Sequence, residues 1–232
     1  MLLPAKDPHG AEWVVDRWSD TFHGQLVPSG FAACARLFHP AMLGGRPVAW
    51  TVIAAANETT AHPRMDFLSI VGGEARLRGQ PRVFDSEPES GWVPRDLVPR
   101  VAAVLRRHTS VDLCWFGIWD GHGNLTREVR AAPTFSVPGR RYHLFTGTVE
   151  DAAGLTIPCD ELPDLPHHWG PAVWWPSDRA WFVGSDVDLM TSFVAGTHEL
   201  IAELVTTPDL EIYEVSSETD FTHRADDVNV QA

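Results

Sequence analysis

Apolar residues recur along this chain in two periods, and the switches between them mark out its elements. In DLVPRVAAVLRRH, residues 96–108, Leu97, Val101, Val104, Leu105 and His108 follow the helical period. Asp96 stands where a cap is wanted, and Pro99 falls in the first turn, where its missing N–H costs little. Arg106, Arg107 and His108 suit the negative end of the helix dipole. GTHELIAELVTTPDLEIYEV, residues 196–215, reads as a helix and then a strand. Thr197 is its cap, Leu200, Ile201, Leu204 and Val205 form the buried stripe, and Pro208 stops the helix. RPVAWTVIAAAN, residues 46–57, reads as a further helix with Pro47 in its first turn and Asn57 as its stop. Its β-branched Val48, Thr51, Val52 and Ile53 leave a strand open as the alternative.

The other pattern is extended. VDLCWFGIW, residues 111–119, is apolar at every second position on both faces, which predicts a central strand covered on both sides. PTFSVPGRRYHLFTG, residues 133–147, predicts a β-hairpin, with Pro138 and Gly139 where a type II turn wants them. EDAAGL reads as one short helical turn, and DRAWFVGSDVDL, residues 178–189, as another strand. Residues 72–94 are rich in Gly, Pro and charge and form a long loop; residues 216–232 are a polar C-terminal tail that drapes over the body or frays. Helices mixed with short antiparallel connections predict one α+β domain over residues 1–232, with a mixed, largely antiparallel sheet and helices packed on it.

Composition adds three constraints. Hydrophobic residues make up 44% and charged residues 21%, a globular balance, and no apolar run approaches the roughly 20 residues that cross a bilayer. MLLPAKDPHGAEW lacks the basic start and apolar stretch of a signal peptide, so the expectation is a soluble cytoplasmic protein without membrane contact. Cys34, Cys114 and Cys159 are odd in number and far apart, which fits reduced, buried thiols. All basic residues but Lys6 are arginines, a bias that reports a GC-rich coding genome before it reports chemistry.

The net charge of −13 is unevenly spread. Residues 1–141 carry 16 basic and 14 acidic side chains, whereas residues 142–232 carry Arg179 and Arg224 against 17 acids. Such an acidic half repels a polyphosphate backbone, so nucleic acid is not expected as a partner; a basic protein or a divalent metal would be attracted.

Familiar motifs are incomplete. GHGNLT, residues 121–126, has Thr126 in place of the third glycine of a dinucleotide loop, and no helix is predicted to start there. HELIA begins like a zinc-peptidase helix but has Ala202 where the second histidine belongs. No phosphate loop and no nucleophile elbow is present. No cofactor is therefore predicted, a divalent metal aside.

The candidate chemistry gathers in PHHWGPAVWWPSDRAWFVGSDVD, residues 166–188. On a strand, Asp186 and Asp188 would share a face and could hold Mg²⁺ or Ca²⁺, or supply a general acid. Trp174 and Trp175 precede Pro176 in an expected loop, so at least one should face a groove with Trp169, His167 and His168. Trp181 is expected in the core, and Trp115 and Trp119 on one face of the neighbouring strand. In GFAACARLFHPA, Arg36 is either an anion clamp or half of a buried ion pair.

ARLFHPA, CWFGIWDG, PGRRYHLFTG and WWPSDRAWFVGSDVD resemble stretches of an uncharacterised protein family of GC-rich, actinobacteria-like bacteria. The resemblance spans residues ~30 to ~215 and implies a shared fold; it carries over no catalytic residue. Two functions are compatible with these patterns. The first is a non-catalytic binding or interaction protein whose acidic, Trp-rich groove takes a basic protein or a small molecule. The second is a small-molecule hydrolase or metal-assisted enzyme built on Asp186, Asp188 and the nearby histidines.

Overall fold

Strands buried on both faces need apolar side chains at consecutive positions, and the chain supplies several such runs. The computed structural model describes residues 2–18, 26–73, 80, 82–123, 125–154, 170–216, 221 and 225–229. In chain order its elements are β1 (Leu3–Pro4), α1 (Glu12–Arg17), β2 (Ala33–Phe38), β3 (Ala41–Leu43), β4 (Arg46–Val48), α2 (Trp50–Ala56), α3 (Phe67–Val71), α4 (Val98–Arg107), β5 (Cys114–Trp119) and α5 (Arg127–Arg130). They continue with β6 (Thr134–Val137), β7 (Arg140–Gly147), β8 (Val173–Pro176), β9 (Phe182–Ser185), β10 (Thr191–Gly196), α6 (His198–Val205) and β11 (Ile212–Val215). Among the described residues, one sheet runs β1-β7-β5-β8-β9-β10-β2-β11, with β6 also on β7, and β3 and β4 form a separate hairpin. Every described pairing is antiparallel, which makes this an α+β fold. No described helix is long and apolar enough to cross a membrane.

Each face of the sheet carries its own core. On one face, Ala35, Leu37, Phe116, Trp174, Val183 and Val194 meet α4 and α6. On the other, Cys34, Leu144, Trp175, Phe182 and Ala195 meet Trp13 and Val14 of α1 and the segment after Leu26. A third core lies beside β2 and β11, where Phe38 packs with Trp50 and Ile53 of α2 and with Phe67 and Ile70 of α3.

Several expectations meet the structure directly. Residues 133–147 form the β6–β7 hairpin, with Gly139 at φ +76° in its turn. Thr197 caps α6 by accepting a hydrogen bond from the Leu200 N–H at 3.2 Å. Asn57 ends α2. Others need correction. Pro47 lies in β4 opposite Met42, because the turn at Gly44 and Gly45 folds residues 41–48 into a hairpin before α2 starts at Trp50. Leu97, not Asp96, takes the cap position of α4 and makes no side-chain cap. Where described, the tail drapes over the body: Phe221 packs on Phe193 at 4.6 Å, and the buried Asp226 accepts from the Asp66 and Asn229 N–H groups.

Gly184 decides how the second face is covered. A Cβ there would lie 1.8 Å from the Leu26 carbonyl oxygen, so only glycine lets the Leu26 backbone rest on β9. Gly184→Ala should therefore lower stability by about 3 kcal/mol, read as a shifted urea midpoint.

Candidate functional site

Alternation along β8 settles the tryptophan question first. Trp174 and Trp175 lie in a strand, not a loop, and both are 0% exposed. Pro176 ends that strand opposite Cys114, so the proline did not mark a loop. Because neighbours on a strand point to opposite faces, the two indoles enter different cores: Trp174 stacks on Phe116, and Trp175 stacks on Phe182. Neither forms a surface rim. Trp181, also fully buried, donates from its indole N–H to the Leu105 carbonyl at 3.0 Å. His167, His168, Trp169 and Cys159 lie outside the described residues.

Asp186 and Asp188 are likewise displaced from their expected place. β9 stops at Ser185, and both aspartates sit in the turn to β10, where the Asp188 N–H donates to the Asp186 carboxylate at 3.1 Å. Arg140, at the start of β7, reaches them. Its Nε and Nη2 donate to the two oxygens of Asp186 at 2.9 Å each, and Nη2 also donates to Asp188 at 2.9 Å. The guanidinium lies 5.8 Å from the centre of the Trp119 ring. It thus occupies the space between the carboxylates that a divalent cation would need, and a metal would have to displace it. Among the described residues no group of three or more metal-ligating side chains is assembled.

Arg36 is neither an anion clamp nor half of a direct ion pair among the described residues. Its Nη1 donates to the Pro63 and Met65 carbonyls at 3.1 Å, its Nε donates to Thr191 Oγ1 at 3.2 Å, and its face covers Phe38 at 4.6 Å. Burial pulls its pKa down to about 10, which leaves it charged at neutral pH. It pins the 63–65 loop to the sheet.

The same end of the sheet holds a buried relay that the sequence did not announce. His39 is fully buried, and burial, opposed by its bond to Glu89 and reinforced by nearby Arg36, depresses its pKa to about 4. The neutral ring has one N–H, and the Glu89 carbonyl can only accept, so Nδ1–H donates there at 2.6 Å. Nε2 then accepts from the Ser192 hydroxyl at 2.7 Å, and Ser192 Oγ accepts from the Ser185 hydroxyl at 2.6 Å. This is a serine–histidine pair in composition, but its hydroxyls are sealed in the interior. Farther across the sheet, Asp120 accepts from Arg141 and pairs with His143 at 2.6 Å, contacts that hold its carboxyl below the usual range.

The acids of the C-terminal half are dispersed in the same way. Asp227 pairs with Arg64 at 2.6 Å, Asp209 with Arg100 at 3.5 Å, and Glu203 with Arg107 and with His108. Glu211 caps α2, accepting from the Trp50 and Thr51 N–H groups at 2.5 and 2.8 Å. The acidic, Trp-rich groove therefore does not form from these residues.

A concave site exists at the opposite end. A cavity of about 550 Å³ lies between residues 27–34, Ala195 of β10 and Glu214–Ser216. Its floor follows from pairing: Trp115 pairs with Trp175, whose ring stacks on Phe182, and Phe182, Ala195, Cys34 and Val215 are successive cross-strand partners, so the row shares one face. The row steps down from indoles and a benzyl ring to a methyl, a thiol and an isopropyl group, and the cleft opens over the small members. Phe31 stands beside it, 6.2 Å from Trp13. Cys34 in the floor is a protonated thiol, because burial pushes its pKa up to about 12.

Two outcomes follow from this geometry. Asp186 is only 12% exposed in its side chain, so Arg140→Met should cost about 2 kcal/mol, and a cycle with Asp186→Asn should return a coupling of about 1–2 kcal/mol in urea denaturation. Buried His39 takes up its proton near pH 4, whereas an unfolded histidine does so near 6.5. The unfolded chain therefore binds more protons in that window, and stability, full above pH 6.5, should fall by about 3 kcal/mol as pH drops to 4. His122, beside Trp119 and also lowered to about 4 by burial, adds to the slope. His122→Phe should flatten it by about one proton in denaturation curves across pH 4–7.

No family model, no curated protein and no solved structure matches this chain.

Proposed function

We propose that the protein is a non-catalytic binding protein whose ligand is a small molecule lodged in the cleft between residues 27–34 and the β10-β2-β11 floor. The cleft itself carries this reading: its volume of about 550 Å³ is that of an ordinary small-ligand pocket. Its Ala195, Cys34 and Val215 floor and Phe31 wall offer apolar contact, while exposed Ser29 offers a hydroxyl at the rim.

The other candidates support it by what they already do. The aspartates proposed for metal or acid–base work are held by Arg140, and the His39–Ser192 pair has no route to solvent among the described residues. A basic protein partner is less favoured than a small molecule, since several of the described late acids are held by this chain's own arginines and helix termini.

Ala32 lines the cleft and is exposed, so Ala32→Trp fills the site without entering the core. In saturation-transfer NMR against a library of small metabolites, the wild type should give binders that Ala32→Trp loses. Identical binders in both proteins, or none in the wild type, would sink the reading.

A further inference from the structure

Resting on the cleft as a binding site, the geometry points to its ligand class: a small carboxylate with a flat apolar body, its anionic group on Arg17. Gly30 forms part of the cleft wall in a left-handed conformation, φ +102°. Having no side chain, it leaves Arg17 Nη1 at the wall, 3.3 Å from where a Cβ would stand. The Arg17 main chain is fixed against the same wall, since its carbonyl accepts from the Ser29 N–H at 2.9 Å. Among the described residues the Arg17 guanidinium has no ion-pair partner; it lies 5.9 Å from the centre of the Trp13 ring. Arg179, itself left-handed at φ +60°, brings a second guanidinium to 5.4 Å from that ring.

A hydrogen-bond donor stands behind the Phe31 wall. The Trp13 indole N–H is buried and, among the described residues, without an acceptor, and its ring packs on Phe31, which lines the cleft. Trp13 itself does not line the cleft, so the charge a ligand meets is that of Arg17 beside Gly30, and a cation there is matched by an anionic group. Glu214, the one acidic residue among the described residues that line the cleft, does not oppose this. It pairs with Ala35, so its side chain belongs to the other face of the sheet. The Phe31 ring beside the floor of Ala195, Cys34 and Val215 suits a flat body for the rest of the ligand.

The test uses two probes of similar shape and opposite charge, phenylacetate and phenethylamine, titrated into the full chain with ¹⁵N-labelled tryptophan. Phenylacetate should shift the Trp13 indole N–H signal, through the Phe31 ring packed against it, and bind about tenfold more tightly than phenethylamine. Arg17→Gln, on the surface, should lose about tenfold in phenylacetate affinity, while Arg46→Gln, on β4, should lose nothing. Equal affinity for the two probes, or Arg17→Gln binding like the wild type, overturns the carboxylate assignment and leaves the binding reading standing. No response to phenylacetate at the cleft also overturns it, and the library comparison with Ala32→Trp then decides the binding reading by itself.

Discussion

A sheet covered on both faces is the constraint from which the rest of this structure follows. Once helices α4 and α6 lie on one side and α1 with the Leu26 segment on the other, the central strands β5, β8, β9, β10 and β2 have almost no solvent face to spend on polar residues. Consecutive large apolar side chains are then a requirement and not an excess. Trp174 and Trp175 are neighbours in sequence and belong to different cores in space. Gly117 and Gly184 answer the same constraint: a Cβ at Gly117 would lie 2.5 Å from the Val173 side chain, so the closest packing falls where side chains are missing.

The charged residues gather at strand ends, on helices and in loops, and there the two halves of the chain neutralise one another. The basic excess of the first 141 residues and the acidic excess of the rest become Arg64–Asp227, Arg100–Asp209, Arg107–Glu203 and Arg140–Asp186. Most of these pairs are exposed and each contributes only about 0–1 kcal/mol, so they do not hold the fold together energetically. They do change what the charge asymmetry means. A block of acids in sequence suggested a surface for a basic partner, but the fold places many of them beside arginines tens of residues away.

What was legible in the sequence is what depends on local spacing. The stripe of α4, the Thr197 cap, the Pro138–Gly139 turn and the doubly apolar β5 all follow from neighbours within a few residues. What was not legible depends on the partner. Pro176 looked like the mark of a loop, yet it closes a strand whose register is set by Cys114, 62 positions earlier. Asp186 and Asp188 had the spacing of a shared strand face, but the strand ends one residue too soon. Arg140 is 46 residues from Asp186, and nothing in GSDVD names it. His39 and Ser192, 153 residues apart, meet only because β2 pairs with β10.

Among the described residues, three indole N–H groups are buried without an acceptor, at Trp13, Trp174 and Trp175, and such a group costs on the order of 1–3 kcal/mol. Their shared chemistry does not make them equivalent. Trp174 is wedged between Phe116 and Trp181 under the helices, 6.2 and 5.5 Å from their rings. Trp175 is closed in by Phe182, Phe135 and Trp13. For both, the unsatisfied donor is a cost that dense aromatic packing offsets. Trp13 differs in what lies around it: Arg17 and Arg179 against its ring, and Phe31 between it and an open cleft. An orphaned donor becomes evidence for a ligand only when charge and space converge on it. Of the three, only Trp13 has cations against its ring and packs on a residue of the cleft wall, Phe31, beside the floor of Ala195, Cys34 and Val215.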